Sequence, residues 1–149
     1  MNRFAPLVAA VVAGSAVALG GLVLAAPDEP APPVTLGPGT VTVVVDVEHS
    51  RFLPSTLRVE VGTEVRFVVR NDDPINHELI VGAPDVHARH RDGTEAEHAP
   101  EPGELSVGPD EQGVTAYRFD EPGVIEMACH LPGHYDYGMR GEIEVVDRP

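Results

Sequence analysis

Cys129, His134 and Met139 sit on one short segment, Cys129-His130-Leu131-Pro132-Gly133-His134-Tyr135-Asp136-Tyr137-Gly138-Met139. They are a soft thiolate, an imidazole and a thioether at equal spacing. Pro132, Gly133 and Gly138 let such a segment curl around a point. A thiolate, two imidazoles and a weak axial thioether are the donors of a mononuclear copper electron-transfer site. The set still needs a second imidazole. His77 supplies it: it follows Asn71-Asp72-Asp73-Pro74-Ile75-Asn76 at the end of one strand pattern and opens another. Other chemistries use some of the same residues. A lone cysteine can be a small buried apolar residue. Cys129 can act as a nucleophile with His77 or His134 as base, but no oxyanion or substrate motif accompanies it. Cys129, His77 and His134 also suit structural zinc, for which methionine is a poor ligand.

A second group of histidines lies between Gly82 and Gly103. This stretch carries five acids, two arginines and His87, His90 and His98. It is too polar for a core and reads as a long loop with one helical turn around Val86 to Arg91. Loops of this length are uncommon unless functional or disordered. His87 and His90 are three apart, so one helical turn puts them on one face. Gly93 permits a turn that returns His98 toward them. The three form a possible second, weak metal site, with Asp85, Glu95 and Glu97 adding negative charge. A solvated loop is the alternative.

The elements that must position these residues have the period of strands. Val41, Val43, Val45 and Val47 alternate with Thr42, Val44, Asp46 and Glu48. Leu57, Val59 and Val61 alternate with Arg58 and Glu60, and Val65, Phe67 and Val69 with Glu64, Arg66, Val68 and Arg70. His77 to Val81, Leu105 to Val107, Thr115 to Phe119, Val124 to Ala128 and Gly141 to Val146 complete the set. Each is a half-buried or short buried strand. Seven to eight short strands between frequent turns predict an all-β antiparallel sandwich.

The segment Asn71 to His77, then Cys129-x4-His134-x4-Met139 with Gly141-x-Ile143-x-Val145 after it, resembles the cupredoxin (type 1 blue copper) family. Phe52-Leu53-Pro54 and Val61-Gly62-Thr63-Glu64-Val65 are similar to its early strands. The resemblance covers about Val41 to Val146. It implies a Greek-key β-sandwich with one type 1 copper near one end, held by His77, Cys129, His134 and Met139. The Cys-to-His spacing is longer than in plastocyanin-like loops and is similar to the type 1 site of multicopper oxidases. Those enzymes flank the cysteine with a histidine on each side. Here Ala128 precedes it, and the oxidases' other His-x-His pairs are absent. The expectation is therefore a binding protein and not an enzyme. Glu78 stands where many cupredoxins have an asparagine that bridges the ligand loops.

The chain has 149 residues, no lysine, and a formal net charge of −14. That length supports one ordinary domain. With no basic cluster, nucleic acid and anionic membrane surfaces are excluded as partners. The single cysteine excludes an internal disulfide. Asn2 and Arg3 precede an uncharged run from Phe4 to Ala26, which reads as a secretory signal, residues 1–25, cut before Ala26. An uncleaved membrane anchor is the alternative. Residues 26–40 are a proline-rich linker, and residues 41–149 form the copper-binding domain. The sequence predicts an extracytoplasmic monomer. Its first expected role is one-electron transfer through Cu(II)/Cu(I) with a redox partner protein. Its second is copper handling (sequestration, resistance or delivery) with a copper-accepting protein.

Overall fold

Valine alternation along the chain is realised as strands that turn one face inward and the other to water. In the computed structural model, residues 35–93 and 101–149 are described. In chain order the elements are β1 (Thr35–Leu36), β2 (Gly39–Val47), β3 (Phe52–Leu53), β4 (Thr56–Glu60), β5 (Thr63–Asn71), β6 (His77–Gly82), α1 (Pro84–Asp92), β7 (Glu104–Val107), β8 (Gln112–Phe119), β9 (Gly123–Ala128) and β10 (Arg140–Val146). One sheet has the order β1-β4-β10-β9-β6-β7, the other β3-β2-β5-β8. The inward residues form one buried cluster. Val45, Val47, Val65, Phe67 and Val69 come from the smaller sheet; Leu57, Val59, Leu79, Val81, Met127, Ile143 and Val145 come from the larger. This is the all-β sandwich expected from the periods.

Two details differ from the expectation. The eight expected strands are present, and the two-residue strands β1 and β3 bring the total among the described residues to ten. The pairing is mixed and not purely antiparallel: β2 runs parallel to β5, and β4 lies parallel to both β1 and β10. The cause is connectivity. After β2 and β3 the chain crosses to the other sheet to form β4, so it returns to β5 in the direction of β2. The first strand also starts earlier than Val41. Thr35 and Leu36 pair with Arg58 and Val59, Leu36 packs on the core, and Thr63 donates its hydroxyl to the Gly37 carbonyl at 2.8 Å. Leu36 is apolar enough to join the sheet even within a proline-rich stretch. The expected signal segment, the first part of the linker and His98 lie outside the described residues.

The polar insert holds a full helix where one turn was expected. Pro84 opens α1, Asp85 lies in its first turn, and Arg89, His90 and Arg91 lie in its last. Proline at the start and this charge order both suit the helix dipole. The helix packs against β6, and β6 is buried along its whole length between β9 and β7.

Candidate metal centre

His77 is placed by the corner between β5 and β6. Asn71 donates its side-chain N–H groups to the carbonyls of Ile75 and Gly108, both at 2.7 Å, and accepts from the Asp73 N–H at 3.0 Å. The corner is thereby closed, and His77 enters β6 fully buried. The Asp73 carboxylate accepts N–H bonds from His49 at 2.8 Å and Ser50 at 2.7 Å. It also lies 2.9 Å from Nε2 of His77. An N–H at Nε2 leaves the Nδ1 lone pair of His77 pointing into the site. Burial holds the His77 imidazolium below its ordinary range despite Asp73. For Asp73, burial alone would raise the carboxyl, but the bonds from Ser50, His49 and His77 outweigh it and keep the group ionised.

Cys129 follows the last residue of β9, and Met139 precedes the first residue of β10. Pairing of those strands brings the loop ends together: the Cys129 N–H bonds the Met139 carbonyl at 3.1 Å. Inside the loop, Met139 N–H bonds the His134 carbonyl and His134 N–H the Leu131 carbonyl, each at 3.0 Å. Gly133 and Gly138 take the left-handed conformation, with φ of 84° and 90°, that lets the loop wind this tightly. Cys129 and Met139 are both fully buried in the core cluster.

The donor atoms converge. Nδ1 of His77 lies 3.2 Å from Nδ1 of His134, and Sγ of Cys129 lies 3.3 Å from the same His134 nitrogen. All three donors fall within 4.8 Å of one another. Metal–nitrogen bonds of about 2.0 Å and metal–sulfur bonds of about 2.3 Å place ligand atoms roughly 3–3.5 Å apart. The residues therefore fit a metal ion, and the soft thiolate with two imidazoles suits copper. Burial pushes the Cys129 thiol up to about 12, against opposing N–H bonds from Glu78 and Leu131. At neutral pH an ion must displace the thiol proton to bind.

The other singled-out histidines divide. His87 and His90 both lie on α1, and both rings lie against His130, with centroids 5.1 Å and 6.4 Å away. His90 Nε2 sits 2.9 Å from a Glu104 oxygen, and its Nδ1 is 3.8 Å from Glu78. Nδ1 of His87 meets Nε2 of His130 at 2.9 Å. His98 is not among the described residues. The sequence reading singled out Glu78 but assigned no role to Asp73. Asp73 stands four residues before His77, a spacing that signals its role. Glu78, in the asparagine position, still bridges the loops: its Oε1 accepts the His130 N–H at 2.7 Å.

Residues 39–146 match the sequence profile of copper binding proteins of the plastocyanin/azurin family. The chain is 36% identical over 110 residues to the "Copper-resistant cuproprotein CopI" of Rubrivivax gelatinosus, covering 71% of this chain and 66% of that protein. It thus spans just under two thirds of that relative's length. Auracyanin B superposes with a TM-score of 0.58 and 26% identity, over 73% of this chain and 90% of that one. Reduced auracyanin of Roseiflexus castenholzii superposes at 0.59 with 20% identity, over 72% and 99%. The latter likeness is one of fold.

Proposed function

We propose that this chain, which belongs to the plastocyanin/azurin family of copper binding proteins, handles copper outside the cytoplasm as part of copper tolerance. The observation that carries this reading is the convergence of His77, Cys129 and His134 in a buried site, with Met139 beside them in the core. Bound copper supplies a Cu(II)/Cu(I) couple and the residues supply everything else. Cys129 gives the anionic soft donor, and His77 and His134 give neutral nitrogens suited to both oxidation states. Asp73 holds His77 in the binding tautomer, and Met139 would offer a weak thioether donor to the bound ion. The name of the Rubrivivax relative supports tolerance as the role. An export signal in residues 1–25 would place the domain where toxic copper is met. Its partner is then a copper-accepting protein, and the site binds without turning over a substrate.

A second reading, one-electron transfer to a redox partner, is favoured by the frame. Cys129, His134 and Met139 are tied by backbone hydrogen bonds, so both copper states would share one geometry. One experiment tests the centre and separates the roles. The full chain receives one equivalent of Cu(II), and visible and EPR spectra are recorded. An intense thiolate-to-copper band is expected, and Cys129→Ser should lose it because an alcohol is a weaker donor that stays protonated. A metal-loaded but colourless wild type would return the site to zinc. Exchange with isotopically labelled copper under reducing conditions then decides the role. Exchange on the scale of minutes supports handling, and retention over days supports electron transfer.

A further inference from the structure

Two imidazoles meet beside the centre just described, on residues it does not use. His87 is buried on α1, and its Nδ1 lies 2.9 Å from Nε2 of His130. The other nitrogen of His87, Nε2, lies 3.2 Å from the Glu126 carbonyl. An N–H donated there leaves the Nδ1 lone pair facing His130. The arrangement repeats that of the first centre. There Nδ1 of His77 and Nδ1 of His134 are 3.2 Å apart, and the far nitrogen of His77 is held by Asp73. In both pairs an oxygen fixes the outer nitrogen and the inner nitrogens converge, as metal-ligating histidines do. A carboxylate stands next to the second pair: Oε2 of Glu126 is 3.9 Å from Nδ1 of His87. Oε1 of Glu126 accepts the Tyr135 hydroxyl at 2.8 Å. The Tyr135 ring stacks on His130 with centroids 5.4 Å apart and planes at 15°. The ligand positions are thus held by neighbouring side chains. A cleft of about 270 Å³, lined by Arg91, Glu126, His130, Tyr135 and Asp136 among others, reaches His130 and Glu126.

We propose that Nδ1 of His87, Nε2 of His130 and the carboxylate of Glu126 form a second metal position, one peptide bond along the chain from Cys129, that takes Cu(II). Two imidazoles, one carboxylate and water from the cleft are the nitrogen and oxygen set of a tetragonal Cu(II) site. No thiolate takes part, so the position adds no intense colour. The cleft makes it the exchangeable member of the pair. His90 is a wall of this site and not a ligand, because its Nε2 faces Glu104 at 2.9 Å and its Nδ1 faces Glu78 at 3.8 Å. The choice of copper over another divalent ion rests on the copper-handling reading above; the convergence of donors does not.

The test is calorimetric titration of the full chain with Cu(II), in buffer free of coordinating ligands, followed by EPR. Wild type should bind two equivalents. One carries the visible band, and the other shows an axial signal with wide copper hyperfine splitting and adds no colour. His87 is buried and its replacement risks unfolding, so the partly exposed residues are changed. His130→Gln and Glu126→Gln should each weaken the second equivalent by about tenfold or more and leave the visible band in place. His98→Ala should leave both equivalents. A second equivalent with no visible band in any variant would remove the type 1 reading and retain this one. Saturation of wild type at one equivalent would overturn the proposal. So would a second equivalent that survives both His130→Gln and Glu126→Gln, or one lost only in His98→Ala.

Discussion

Asp73 touches no donor atom except through His77, yet it fixes which nitrogen of that ring is available. Its other bonds reach back to the N–H groups of His49 and Ser50, both in left-handed backbone. Asp73→Asn keeps the shape and loses the charge that holds Nε2–H, so copper affinity should fall about 10–100-fold with the fold intact. Competition titration against a chelator of known affinity measures it. Met139 affects the electronics instead. Met139→Leu should keep copper bound and raise the reduction potential, since a drier, less donating site disfavours Cu(II), and Met139→Gln should lower it. Voltammetry of both variants decides this; identical potentials would make Met139 an ordinary core residue. At this scale Cys129, His134 and Met139 were legible because one loop carries all three at regular spacing. The bonds that hold the Asp73 carboxylate and the pairing of Glu78 with the His130 N–H were not, because those partners lie 24 and 52 residues away.

The helix α1 shows how an element can be missed. Its sequence is polar on most faces, so no apolar stripe announces it. It is held instead by buried His87 and by Glu104, which pairs with Arg89 and hydrogen-bonds His90. Burial by itself would raise the Glu104 carboxyl, but these two partners outweigh it and hold it below the ordinary value of 4.5. A depressed folded value means the contribution is complete above about pH 4.5 and is lost as pH falls through the folded value. Glu104→Gln should therefore cost about 1–2 kcal/mol at neutral pH. The gap between wild type and variant should close as the solution is acidified below pH 4.5. Urea unfolding of both proteins across that range measures the gap, and a constant difference would refute the assignment. The strands were legible because a period of two needs only local sequence. Parallel pairing of β2 with β5 was not, because it follows from the chain crossing between sheets.

Across the whole molecule, copper should act as a clamp on the folded state. The donors come from β6 and from the loop joining β9 to β10, so an ion bound only by the folded chain stabilises both. At a free copper concentration of about 100 times Kd the gain is about 2.7 kcal/mol, which for a domain of this size raises Tm by roughly 10 °C. Calorimetry should show that rise in wild type and its loss in Cys129→Ser. The net charge of −14 favours cations and positively charged partner surfaces at long range. Strand period and the loop with its cysteine, histidine and methionine followed from residue order. They depend on interactions within a few residues. That His77 lies with Cys129 and His134 was also readable, because His77 opens a strand at a marked corner. Tertiary structure alone decided the rest. It brought the N–H groups of His49 and Ser50 to Asp73, set Glu78 across from His130, and turned His87 toward His130. These contacts join residues far apart in sequence, and only the packing of two sheets and one helix brings them within hydrogen-bond reach.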